Sequence, residues 1–310
     1  MVILITGGAG FIGSHLVELI LSKKIFDKIV VIDNLSTGSL DNLPQSDRII
    51  FIEDDVSNKT VLDKIFKEYH FDYIVHLAAI ASVQDSINNP EETHRVNFDS
   101  VLYLLELARK SQSLKRFIFA SSAAVYGDKP NLPCKENDAV NPLTPYGIDK
   151  YAAESYVINY YKLYSLPAVA FRFFNVYGTR QNPSSPYSGV ISIFNEQFKN
   201  NKPVVKIYGD GNQTRDFIFV KDLVEILFES LLNDAFNGEV YNIGTGIQTS
   251  LKEIVTSFEE ISGKKAEIDW QPARSGDIRF SVADNSKLTG VIPYSSFTSF
   301  IDGLRKMIKG

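Results

Sequence analysis

Cysteine is almost absent from this chain of 310 residues: Cys134 stands alone, so no internal disulfide and no thiolate-rich zinc site can be assembled. A reducing compartment suits such a sequence, and a cytoplasmic location is expected. Long apolar runs are also missing. No stretch approaches the roughly 18 residues of a membrane span, and Met1-Val2-Ile3-Leu4-Ile5 runs straight into glycines, without the basic region and apolar core of a signal peptide. Basic residues are not in excess. Lys and Arg number 32 against 37 Asp and Glu, and the net charge of −5 gives no footprint for a nucleic-acid backbone or an anionic membrane. Histidines are few and scattered: His15, His70, His76 and His94 show no metal-ligand spacing with a third ligand nearby, so no metal is expected. His76 ends an apolar strand and reads as a core histidine; Cys134, in a Pro-bounded loop with no base partner, reads as a structural thiol.

What is present is ordinary globular composition, 44% apolar and 22% charged, in more chain than one core usually organises. Short β-branched runs at 2–6, 28–33, 49–53, 73–77, 116–121 and 168–174 alternate with segments of helical period at 12–22, 58–69, 91–111 and 146–164. That alternation is the pattern of βαβ units, and it predicts an α/β fold with a Rossmann-like, doubly wound parallel sheet. After residue 177 the rhythm breaks into a Pro/Ser/Asn stretch, short strands and shorter helices. A first domain over 1–177 and a smaller α/β lobe over 178–310 are therefore expected. Segments within about 215–245, with strands at 217–220 and 240–243, are expected to return to the first domain.

Glycines 7, 10 and 13 follow the first strand at the mouth of the first helix. Gly7 permits the tight turn, Gly10 lets the backbone approach a pyrophosphate, and Gly13 lets helix and strand pack closely, while the helix start offers free N–H groups. Asp33 ends the next strand, 20 residues beyond Gly13, where a carboxylate accepts from an adenosine ribose and repels a 2′-phosphate. No basic residue follows it directly, which favours NAD over NADP.

Tyr146 and Lys150 stand four apart near a helix start, so both side chains leave one face. A phenol ionises near pH 10, but a neighbouring ammonium and an oxidised nicotinamide favour the phenolate, which can take a proton from a sugar hydroxyl as hydride leaves. Ser121-Ser122-Ala123-Ala124-Val125-Tyr126-Gly127 follows a buried strand, placing its hydroxyls at the carboxyl end of the sheet. Ser122 is the residue expected against the substrate hydroxyl. Tyr160, Tyr161 and Tyr164 sit at helical spacing and read as packing.

Taken in order, the glycine triplet, the acidic strand end, Ser-Ser-x-x-Val-Tyr-Gly and Tyr-x-x-x-Lys resemble an extended short-chain dehydrogenase/reductase of the NAD-dependent epimerase/dehydratase family. Within it the chain is similar to the UDP-glucose and UDP-N-acetylglucosamine 4-epimerases over nearly its whole length. That resemblance implies NAD as cofactor. It implies that Phe11, Ile12 and Asn34 lie against it, that Asp55 and Val56 contact the adenine, and that Leu77, Ala78 and Ala79 line its channel. Asn97 is implied near the pyrophosphate and Phe173 over the nicotinamide. Asn175, Arg215 and Arg274 match the family's hold on a substrate diphosphate, Val190, Ile207 and Tyr208 its surroundings of the uracil, and Asp277 its grip on the nucleotide. Guanidinium geometry suits bidentate phosphate binding.

The resemblance also narrows the chemistry. Dehydratases and decarboxylating members keep an acid after the catalytic Ser or Thr, whereas this chain has Ala123 and Ala124. Oxidation and re-reduction at C4 of a UDP-hexose follows, with rotation of the 4-keto sugar between the two hydride steps. Four residues past Asp277 the family places a gate beside the sugar's 2-position; here it is the small Ser281, which favours admission of an N-acetyl group without excluding UDP-glucose. The run Arg180-Gln181-Asn182-Pro183, similar to that in epimerases of polysaccharide pathways, points the same way. A homodimer through a four-helix bundle of segments 91–111 and 146–164 is implied as well. Two other readings stay open: a reductase or dehydratase acting on another nucleotide sugar, and a non-catalytic NAD-binding regulator.

Overall fold

The computed structural model describes residues 1–111, 113–129, 131–182, 189–273, 278–292 and 296–309. Two compact units emerge, one from 1–125, 142–173 and 224–241, the other from 126–141, 174–223 and 242–310.

In the first unit the chain runs β1 (Val2–Thr6), α1 (Phe11–Lys23), β2 (Lys28–Asp33), β3 (Ile49–Glu53), α2 (Lys59–Glu68) and β4 (Tyr73–His76). Two short helices, α3 (Val83–Asn88) and α4 (Pro90–His94), lead through a π-helical turn at Arg95–Asp99 into α5 (Ser100–Lys110). Then follow β5 (Arg116–Ser122), α6 (Pro145–Tyr164) and β6 (Ala168–Phe173). The second unit holds β7 (Asn175–Tyr177), α7 (Val190–Lys199), β8 (Val204–Tyr208) and β9 (Thr214–Phe219). Helix α8 (Val220–Leu232) and strand β10 (Val240–Ile243) carry the chain to the first unit and back. The second unit then completes itself with β11 (Gln248–Ser250), α9 (Leu251–Ser262), β12 (Glu267–Gln271), α10 (Ser286–Thr289) and α11 (Phe300–Lys309). Among the described residues no helix is long and apolar enough to cross a membrane.

The large sheet has seven strands in the order β10-β6-β5-β4-β1-β2-β3. Strand β1 lies parallel to β2 and to β4, with Thr6 opposite both Ile32 and His76. The order therefore reverses at β1, and the crevice beyond the carboxyl ends at such a switch point is where doubly wound folds bind ligands. Ile3, Leu4 and Ile5 are wholly buried, as parallel strands covered on both faces must be. On one face Leu4, Ile74 and Phe119 pack under Leu62 of α2, Leu104 and Leu105 of α5, and Ala153 and Val157 of α6. Helix α6 starts where Thr144 accepts from the Gly147 N–H and Pro145 occupies the first turn, whose N–H would have had no helical partner.

Three expectations are corrected. The segment 217–220 does not return to the large sheet: β9 pairs with β7 and β11 in a separate three-stranded sheet, and of the two candidate strands only β10 joins the large one, beside β6. Residues 126–141 belong to the second unit, tied there by Tyr126 Oη donating to Asn242 Oδ1 at 2.7 Å and by backbone bonds of Cys134 to Val282 and Asp284. The helix at 91–111 is interrupted by the π-helical turn, where Asn97 is buried and bonded to the loop after β4.

Two glycines of the first loop are required by backbone conformation and packing. Gly7 has φ +69°, and a Cβ on Gly13 would stand 2.1 Å from the Gly7 carbonyl oxygen. Gly13→Ala is expected to lower Tm by roughly 5–10 °C in a thermal melt, the effect of an overpacking cost of about 2–3 kcal/mol. A melt within 2 °C of the parent would contradict this packing.

Candidate active site

The first loop of the large sheet is a cradle of backbone N–H groups. No side chain caps the start of α1, so its first N–H groups and the positive end of its dipole face an incoming anion. A Cβ at Gly10 would meet only the Gly7 carbonyl, at 3.3 Å, so internal crowding does not explain glycine there as it does at Gly13; close approach of a ligand does. Asp33 accepts from the Ala9 N–H at 2.9 Å and from the Leu35 N–H at 2.8 Å. It thereby braces the loop while its remaining lone pairs stay available for ribose hydroxyls. Asn34 donates to Asp55 at 2.9 Å. Burial resists ionisation of Asp55, but hydrogen bonds from Ser57 and Asn34 outweigh it and hold the carboxyl below its ordinary range. These groups fit a dinucleotide with an unphosphorylated adenosine ribose.

Other residues implied for that cofactor fall into two kinds. Leu77 and Ala78 donate their N–H groups to Thr6 Oγ1 at 3.2 and 3.1 Å, holding the loop that continues to Ala79 against the Gly7 turn. Phe173 closes β6, opposite Ser122 in the register of β5 and β6. Val56, by contrast, packs in the core, and Asn97 gives both ends of its amide to the backbone of Ile80. Asn97 therefore shapes the loop after β4.

Ser122 ends β5, and Tyr146 and Lys150 leave the first turns of α6. Lys150 is buried, donates to the Ala120 carbonyl at 2.9 Å, and places its Nζ 6.0 Å from the centroid of the Tyr146 ring. Burial raises the Tyr146 phenol above its ordinary range, and the Ser122 hydroxyl beside it pulls the other way. Burial also pushes Lys150 down to about 7, opposed by Asp149. The arrangement can hold a proton on either group near neutrality and shuttle it to a hydroxyl set against Ser122.

Polar contacts that no local sequence pattern announces surround this trio. Asp149 meets His94 Nδ1 at 2.7 Å. Glu154 pairs with Arg172 and accepts from Ser121. His76, packed beside Phe119 and bonded to Thr6 at 2.8 Å, is driven to about 3 by burial and by the Lys150 charge, so it stays neutral.

The second unit contains a cavity of about 550 Å³ lined by Asn175, Val190, Lys206, Tyr208, Gln213 and Arg215, among others. It brings together most of the residues expected to hold a nucleotide. Ile207 is not among them: it is 1% exposed and turned into the core. Alternation along β8 sends Lys206 and Tyr208 to the cavity and Ile207 away, a period-two signal that was present in the sequence. Ser281 bonds to the Thr214 carbonyl at 3.2 Å and does not line the cavity. Arg274 and Asp277 lie outside the described residues.

Residues 4–307 match the family model described as GDP-mannose 4,6 dehydratase. A putative UDP-glucose 4-epimerase of Methanocaldococcus jannaschii is 39% identical over 280 residues, covering 89% of this chain and 87% of that relative. The crystal structure of a Thermotoga maritima UDP-glucose 4-epimerase with UDP-glucose superposes with a TM-score of 0.94 at 35% identity, covering 100% of this chain and 98% of that one. The complex of a Thermus thermophilus UDP-glucose 4-epimerase with NAD gives a TM-score of 0.89 at 34% identity, with coverage of 100% and 98%.

The burial of Lys150 has a consequence for stability. From about pH 7 to the ordinary lysine value of 10.5 the unfolded chain keeps a proton that the folded one releases, so this group adds stability as pH rises through that window. Lys150→Met removes the buried charge and is expected to raise Tm by roughly 2–4 °C at pH 6 and by less at pH 10. Equal Tm losses at both pH values would contradict the cost assigned to the buried ammonium.

Proposed function

The chain belongs to the GDP-mannose 4,6 dehydratase family of NAD-dependent epimerases and dehydratases, and on that premise we propose that it is an NAD-dependent 4-epimerase of UDP-hexoses. The observation that carries this reading is the grouping of Ser122, Tyr146 and Lys150, with Ser122 followed in the chain by Ala123 and Ala124 where an elimination would need a further acid.

NAD, when bound, would supply the hydride acceptor and donor that inversion at C4 of the sugar requires. Gly7, Gly10, Phe11, Ile12 and Gly13 would hold it through the N–H cradle, Asp33 would take its ribose, and Asn34, Asp55 and the backbone at Val56 would surround its adenine. Leu77, Ala78 and Ala79 shape its channel and Phe173 its nicotinamide end. Tyr146 removes the O4 proton, Ser122 orients that hydroxyl, and the Lys150 ammonium favours the phenolate. Asn175 and Arg215 hold the diphosphate, with Arg274 and Asp277 completing that grip, and Val190 and Tyr208 flank the base. Strong hold on the nucleotide and a loose one on the pyranose let the keto sugar rotate, since remote binding energy positions the reacting carbon. The small Ser281 admits a 2-acetamido group as well as a hydroxyl.

Tyr151, Tyr156, Leu163 and Tyr164 leave apolar surface exposed along α6. A second copy of this chain covers it, giving a cytoplasmic homodimer.

Incubation with UDP-glucose and with UDP-N-acetylglucosamine, without added reductant, is expected to yield the galacto epimers by chromatography. Tyr146→Phe should lower kcat by about 10³-fold, the scale of a lost general base. No inversion of either sugar would overturn the reading.

A further inference from the structure

Three buried residues of the first unit have no assigned part in the proposed reaction, yet each adjoins a group that has one. Glu154 and Arg172 are 2% and 3% exposed. Arg172 donates from Nε to Glu154 Oε2 at 2.9 Å and from Nη2 to Oε1 at 2.6 Å, and the Ser121 hydroxyl donates to Oε2 at 2.7 Å. Ser121 and Arg172 are register partners on β5 and β6, so their side chains emerge side by side and converge on one carboxylate. Ser121 immediately precedes Ser122, Arg172 precedes Phe173, and Glu154 lies one helical turn past Lys150 on the stripe that begins at Tyr146.

Stability is a weak explanation for such a pair, because the cost of desolvating two charges offsets most of their attraction. Geometry is a better one. Apart from the single bond of Lys150 to the Ala120 carbonyl, the neighbouring contacts of α6 with the sheet come from Ala153 and Val157, small or smooth groups that leave sliding along the helix axis weakly opposed. A bidentate guanidinium–carboxylate contact has one distance and one plane, and it opposes that sliding directly.

We propose that Glu154 is a positioning residue: clamped by Ser121 and Arg172, it fixes the axial register of α6 on β5 and β6 and so sets the approach of Tyr146 to Ser122. The inference rests on Tyr146 being the group that moves the O4 proton. A displacement near 1 Å at such a contact costs up to about 100-fold in rate while leaving nucleotide binding alone.

The test uses Ser121→Ala, Ser121→Thr, Glu154→Asp and Glu154→Gln in the NAD-loaded enzyme. Three quantities are read: kcat, KM for the UDP-sugar, and the pH midpoint of the tyrosinate absorbance that Tyr146→Phe abolishes. Ser121→Ala keeps both ion-pair bonds, so it folds even where Glu154→Gln, which removes the carboxylate charge facing Arg172, does not. Expected for Ser121→Ala and Glu154→Asp is a kcat lowered about 10-fold with KM within about twofold, and a Tyr146 midpoint moved upward as the Ser122 hydroxyl loses its place. Ser121→Thr, which keeps the hydroxyl, should restore kcat and midpoint together. An unchanged midpoint overturns the proposal, whether kcat is unchanged or falls together with Tm. If the parent enzyme converts no UDP-sugar, the epimerase reading fails, while the midpoint still decides the clamp.

Discussion

Helix α6 buries an ammonium and a carboxylate against a parallel sheet, and in that low-dielectric setting each must find a partner. Lys150 finds the Ala120 carbonyl, and Glu154 finds Arg172 and Ser121. Those partners all lie on β5 and β6, so the polar contacts index the helix on the strands that carry Ser122 and Phe173. The apolar contacts of Ala153 and Val157 bring the helix to the sheet; the polar ones say where along it the helix stops. The same burial perturbs both groups at the start of the helix, raising the Tyr146 phenol and lowering the Lys150 ammonium.

Legibility in the sequence followed the range of the forces involved. The glycine loop was readable because turns and helix starts make demands on single residues, and Asp33 because its distance from Gly13 spans one helix and the strand that follows it. Tyr146 and Lys150 were readable from one-turn spacing and Ser122 from its place after a buried strand. Strand β9 was misplaced since a short apolar strand suits either of two sheets and only pairing decides. The 126–141 segment has no periodicity of its own, and its attachment to Asn242 and Val282 is purely tertiary. Ile207 is a different kind of miss: alternation with Lys206 and Tyr208 would have turned it away from the cavity. Glu154, Arg172, His94 and Asp149 lacked any local signal, because contacts between distant segments become visible only when those segments meet.

The two units divide the labour that the proposed reaction requires. The first supplies an anion cradle, an acidic strand end and a proton-transfer trio; the second supplies a cavity with an arginine, an asparagine and an aromatic ring, suited to a nucleotide. A reaction that inverts one carbon without net oxidation needs this asymmetry. The cofactor must remain bound through both hydride steps, and the sugar must turn between them while its nucleotide stays held.

The most direct test of that account follows the hydrogen on C4. With UDP-hexose carrying deuterium at C4 in ordinary water, the epimer formed should retain the label at C4, because the hydride leaves and returns without meeting solvent. Product whose C4 has lost its deuterium to water would mean inversion through a carbanion, contradicting the hydride route.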